Sequence, residues 1–151
     1  MNIDEMYRQV IMSHNASGRN KRHLIHPTVV QPGVNPSCGD EIALELKISP
    51  AGKLEDISFT GSGCAISQAS VSIMADLVRG RELGEIRELE TLFMDMIHSK
   101  TLDEDGASRL QEAAIFSTVS HMPARVKCAV LGWRTLSQAL DSLDKAEKGG
   151  K

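Results

Sequence analysis

The stretch from Glu41 to Leu77 constrains this chain more than any other. Ile42, Leu44, Leu46 and Ile48 alternate with Glu41, Ala43, Glu45 and Lys47, the period-two pattern of a strand with one covered face. Ser49–Gly52 reads Ser-Pro-Ala-Gly, a turn, and Leu54 to Thr60 brings Ile57 and Phe59 back as the next strand. Past Gly61 and Gly63 the period changes. Ala65, Ile66, Ala69, Ile73, Met74 and Leu77 fall on one helical stripe, with Gly80 placed as its C′ residue. Thr28, Val29 and Val30 suggest a further short strand, cut off by Pro32 and Gly33. The expectation is α+β: a three-stranded, mostly antiparallel sheet packed against about five helices.

The remaining elements are helical. Asn2 and Glu5 are spaced as a capping box, and Ile3, Met6, Tyr7, Val10 and Ile11 continue as a short helix ending near His14. Asn15 to Arg22 reads as a loop carrying Arg19, Lys21 and Arg22. A helix is predicted from about Glu85 to His98, with Ile86, Leu89, Phe93, Met96 and Ile97 inward. A charged loop over Leu102–Gly106 precedes a helical stretch around Leu110 and Ala114. Pro123 suits the first position of a final helix that runs to about Leu143, with Trp133, Leu136 and Leu140 on one side. The 151 residues suit a single domain over 1–145, with a flexible tail at 146–151.

Charge and hydropathy narrow the function classes. A net charge of −3 leaves no basic excess for a phosphate backbone, so no nucleic-acid partner is expected. No apolar run approaches the roughly 20 residues of a membrane span, and Met1 to Val10 lacks the pattern of a secretion signal. The expected location is cytoplasmic. In such a reducing compartment the three cysteines point to metal binding or thiol chemistry rather than crosslinking.

All three cysteines sit at element ends. Cys38 lies in Asn-Pro-Ser-Cys-Gly-Asp before the first long strand, Cys64 at the junction of hairpin and helix, and Cys128 near the start of the last helix. Such junctions can converge, and three thiolates need a fourth ligand for tetrahedral zinc. Asp40 is the best candidate, because Gly39 relieves the turn between it and Cys38. The anionic shell favours a nearby cation, and Arg125 and Lys127 are the available suppliers. The competing reading makes the cysteines buried small hydrophobes and Asp40 a turn former. Of the histidines, His23 or His26 could reach a metal, whereas His14, His98 and His121 read as surface or capping residues. Nucleotide-loop, zincin and nucleophile-elbow motifs are all missing from the sequence.

The blocks around Cys38, Cys64 and Cys128, with Tyr7–His14 and Arg19–Arg22, resemble the U-type iron–sulfur cluster assembly proteins from Tyr7 to about Trp133. The resemblance implies a SufE/IscU-like fold and ligands at Cys38, Asp40, Cys64 and Cys128. Lys127 stands where Isc-type scaffolds carry a histidine, and the long interval between Cys64 and Cys128 is similar to the insertion of the SufU branch. That branch implies Zn2+ and a sulfurtransferase role: Cys38 accepts persulfide sulfur from the cysteine desulfurase SufS and passes it toward the SufBCD scaffold complex. A desulfurase histidine would replace Cys38 at the metal, and Arg125 would assist the released thiolate. Two alternatives stay open: a scaffold that assembles a [2Fe–2S] cluster on the same ligands, and a structural zinc protein that activates the desulfurase.

Overall fold

The computed structural model describes residues 2–98 and 102–149. Helix α1 (Ile3–Ser17) leads into strands β1 (Val29–Asn35), β2 (Asp40–Ile48) and β3 (Leu54–Ser62). Helices α2 (Ala65–Val78), α3 (Leu83–Ile97) and α4 (Glu104–Leu110) follow, then a 3-10 segment (Gln111–Val119) and α5 (Pro123–Gly149). The sheet is antiparallel in the order β1-β2-β3. The fold is therefore α+β, with a three-stranded sheet against five α-helices, as the hydropathy pattern implies.

Strand β1 runs through Pro32 and Gly33 instead of stopping there. It is an edge strand with one neighbour, so a missing N–H is tolerated. Gly33 has a packing role: a Cβ there would lie 2.0 Å from Thr135 Oγ1, so only glycine lets α5 cross the strand this closely.

Helix α2 is central. Ser67 to Ala75, Leu77 and Val78 are all buried, so the single apolar stripe read from the sequence understates its coverage. Its small residues permit the close approach. Ser70 Oγ donates to the Ala129 carbonyl at 2.7 Å, and Gly132 leaves room for Val71. Around α2, Phe93 stacks on Trp133 at 4.7 Å, and Phe116 meets Tyr7 and Phe93 edge-on.

Four boundaries differ from the sequence reading. Asn2 caps α1 by accepting the Glu5 N–H at 2.9 Å, and the helix continues past His14 until Gly18 closes it in the left-handed region. The acidic stretch 102–106 is mostly a helix start, because the Asp103 carboxylate accepts the Gly106 N–H at 2.7 Å. The stretch around Ala114 is a 3-10 segment. Helix α5 is helical as far as Gly149, beyond Leu143 and into the expected tail; residues 150 and 151 lie outside the described residues.

Candidate metal centre

Three junctions meet at one end of the sheet. The tight turn of residues 36–39 joins β1 to β2, with the Cys38 N–H donating to the Asn35 carbonyl at 3.3 Å. Gly39 has φ +71°, a conformation that spares the turn a side-chain penalty. Cys38 is exposed at the tip. Asp40, the first residue of β2, points inward and is fully buried. Cys64 is the N-cap of α2, where its sulfur accepts the Ser67 N–H at 3.4 Å. Cys128 is buried in the first turns of α5.

The sulfurs of Cys38 and Cys128 and a carboxylate oxygen of Asp40 lie within 4.8 Å of one another. The Cys128 thiol donates to Cys38 Sγ at 3.4 Å. Cys64 adjoins the group without its sulfur joining that trio: its N–H donates to Asp40 Oδ1 at 2.8 Å. Burial raises the Cys128 thiol well above its ordinary value, and the adjacent Cys64, Cys38 and Asp40 push it the same way. Among the described residues no cationic side chain stands within ion-pair distance of Asp40. Its oxygens accept from the Cys64 N–H and the Asn35 amide instead, and a carboxylate beside two thiols is a donor set suited to a cation.

The donor set fits a thiophilic dication. Zinc–sulfur bonds of about 2.3 Å place tetrahedral ligands roughly 3.5–3.8 Å apart, close to the sulfur separation found here. Sulfur and carboxylate donors suit zinc and iron alike, so the cluster is one that could hold either metal.

Two supporting residues escaped the sequence reading. Buried Asn35 donates its amide to Asp40 Oδ2 at 3.2 Å and lies 3.9 Å from Cys128 Sγ. Its signal was its place opposite Asp40 across the turn, which only strand register reveals. At Gly63 a Cβ would fall 2.5 Å from Asp40 Oδ1 and 2.8 Å from Ser67 Oγ, so this position must be bare for Asp40 to sit where it does.

Other candidates go elsewhere. Arg125 is exposed and outside the trio; it faces Tyr7, whose hydroxyl burial raises while Arg125 opposes. Lys127 Nζ donates to Ser37 Oγ at 3.4 Å. His23 Nδ1 lies 2.6 Å from Glu45 Oε2, and exposed His26 is likewise not among the three clustered donors. His14 is neither a surface nor a capping residue. It is 2% exposed, with Nδ1 2.7 Å from Ser72 Oγ and Nε2 3.0 Å from Glu112 Oε1. His98 and His121 are exposed, as expected.

Comparison with known proteins adds the family. The model of the NifU-like N-terminal domain matches residues 6–94, which include Cys38, Asp40 and Cys64. The chain belongs to this iron–sulfur cluster assembly family. The zinc-dependent sulfurtransferase SufU of Bacillus subtilis is 36% identical over 149 residues, covering 99% of this chain and 96% of that protein. The iron–sulfur cluster assembly scaffold protein IscU of Thermotoga maritima is 37% identical over 140 residues, covering 93% of this chain and 96% of that protein. Both alignments are long enough to take in the third cysteine block. Among solved structures, FiSufU from Fervidobacterium islandicum superposes with a TM-score of 0.82 at 34% identity, covering 90% of this chain and 97% of that one. This NifU-like chain thus shares its fold with FiSufU, and no helix among its described residues is long and apolar enough to cross a membrane.

Proposed function

We propose that the protein is a zinc-dependent sulfur acceptor and transferase, taking persulfide sulfur from the cysteine desulfurase SufS and passing it toward the SufBCD scaffold in the cytoplasm. The observation that carries this reading is the asymmetry of the centre. Cys38 is exposed on a glycine-relieved turn, whereas Asp40 and Cys128 are buried behind it. Cys38, Asp40, Cys64 and Cys128 would hold the ion, which supplies the positive charge that keeps thiols deprotonated near neutral pH.

The transfer itself is thiol–persulfide exchange. The Cys38 thiolate attacks the outer sulfur of the desulfurase persulfide. A sulfur–sulfur bond forms at Cys38, the bond to the desulfurase cysteine breaks, and that cysteine departs as a thiolate. Electrons balance, so no oxidant or reductant is needed. Half-buried Cys64 and buried Cys128 and Asp40 maintain the centre, and Arg125 offers a guanidinium to the Cys38 anion when it swings outward.

The name of the Thermotoga relative favours a second reading, a scaffold for a [2Fe–2S] cluster on the same ligands. Lys127, in the place of a ligand-type side chain beside Cys128, weighs against it. Metal analysis with a desulfurase turnover assay tests the choice. The transferase reading expects bound zinc, stimulation of SufS turnover, and loss of that stimulation in Cys38→Ser. A coloured cluster that iron-reconstituted Asp40→Ala passes to an apo-acceptor, with stimulation intact in Cys38→Ser, establishes the scaffold instead.

A further inference from the structure

The arginines divide into two groups. Arg19, Arg22, Arg79, Arg81, Arg87 and Arg109 are all ion-paired within the chain. Arg8, Arg125 and Arg134 have no ion pair among the described residues, and Lys127 touches only Ser37. An acidic chain of net charge −3 has carboxylates to spare, so four unpaired cations in one neighbourhood call for a reason.

Their placement supplies one. Arg8 and Arg125 line a cleft of about 720 Å³ at α1 and α5 that reaches Ile66, just past Cys64. Lys127 and Arg134 line a groove of about 230 Å³ between the Cys38 turn and α5 that reaches Ser37. The two concavities flank the metal centre on either side of the start of α5. Each also presents an exposed large hydrophobic side chain, Met12 (69% exposed) in the first and Val34 (58% exposed) in the second. Asp4 is the one acidic residue in either lining.

We infer that Arg8, Arg125, Lys127 and Arg134 form a cationic collar that docks an acidic face of the cysteine desulfurase, with Met12 and Val34 as its apolar contacts. The inference rests on the reading that Cys38 receives sulfur from that enzyme. Unpaired charges around a site steer a complementary surface and fix its register, while the apolar contacts prolong the encounter. The Arg19–Arg22 loop is not part of the collar. Arg19 and Arg22 are half-exposed and already paired within the chain, with Asp76 and Asp56.

The test is equilibrium binding of the full chain to purified cysteine desulfurase across a salt series, with thermal melts to verify folding. Arg8→Glu combined with Arg134→Glu should raise Kd about tenfold or more at low salt, and screening should shrink the gap to about twofold near 0.5 M salt. Lys47→Glu, on the far part of the sheet, should bind as the parent does. Met12→Asp should weaken binding at every salt concentration. Unchanged affinity in the double variant, or a loss that persists undiminished at high salt, overturns the collar. Repeating the series in a Cys38→Ser background separates the two claims: loss of sulfur transfer with collar-dependent binding intact bears on the chemistry alone. Salt-independent binding removes the collar whatever Cys38 does.

Discussion

The end of the molecule where α3 meets α5 and the end where Cys38, Asp40 and Cys128 meet follow opposite rules. At the first, Trp133 stacks on Phe93 and Arg87 gathers Glu90, Asp141 and Asp144, so the chain's own aromatic side chains pack the interior and its own guanidinium faces the carboxylates. At the second, a fully buried carboxylate lies among thiols with no cation of the described residues in an ion pair with it. The contrast teaches that burial alone does not mark a structural core. One end meets its opposite charge within the chain, and the other, among the described residues, does not.

The largest expected effect lies where α3 meets α5. Trp133→Ala removes the largest fully buried side chain and should cost about 3–5 kcal/mol. Denaturant unfolding should give the same loss with and without a chelator. A loss that depends on the chelator breaks the proposed independence of the two ends.

Metal removal comes next. A metal that binds only the folded state adds about 4 kcal/mol at a thousandfold excess over Kd. Chelation should therefore lower the melting temperature of the parent protein, and lower it less in Asp40→Ala, which keeps three sulfur donors but binds the metal more weakly. Equal sensitivity of both proteins to chelator contradicts the assignment of Asp40.

Gly63→Ala sharpens the boundary between the two ends. Its Cβ meets Asp40 Oδ1, so the variant should lose about 1–3 kcal/mol of stability when metal-loaded and less when chelated. Metal titration of the variant reads the difference directly, and undiminished metal affinity removes Gly63 from the site.

The smallest effect is a pH slope. Burial pushes the Glu90 carboxyl up to about 7, although Arg87 pulls the other way. A carboxyl with a folded pKa above its unfolded value contributes stability that is complete below about pH 4.5 and is lost as pH rises through about 7. Denaturant midpoints should fall between about pH 5 and pH 8, and Glu90→Gln should flatten that fall by about 1 kcal/mol. Equal slopes in the two proteins contradict the burial argument.

These regions also differ in how legible they were beforehand. The inward residues Ile86, Leu89, Phe93, Met96 and Ile97 of α3 are all buried where the 3.6-residue period puts them. Period-two alternation likewise gave β2 and β3 nearly to the residue. Local periodicity cannot report a crossing partner, which is why Pro32 and Gly33 read as a strand end although Thr135 fixes their role. His14 was misjudged for the same reason, since Ser72 and Glu112 come from distant elements. At the centre, residue chemistry made Cys38, Asp40 and Cys128 recognisable. Asn35, Gly63 and the capping geometry of Cys64 depended on register and backbone direction, which no spacing rule encodes.

The most direct test of the account is to find where the sulfur lands. The metal-loaded protein is mixed with cysteine desulfurase and L-cysteine, its thiols are trapped by alkylation, and each cysteine peptide is read by mass spectrometry. The account predicts one added sulfur on Cys38, with Cys64 and Cys128 unmodified, and no added sulfur in Cys38→Ser. Persulfide on Cys64 or Cys128 while Cys38 stays bare, or full transfer by Cys38→Ser, would contradict it.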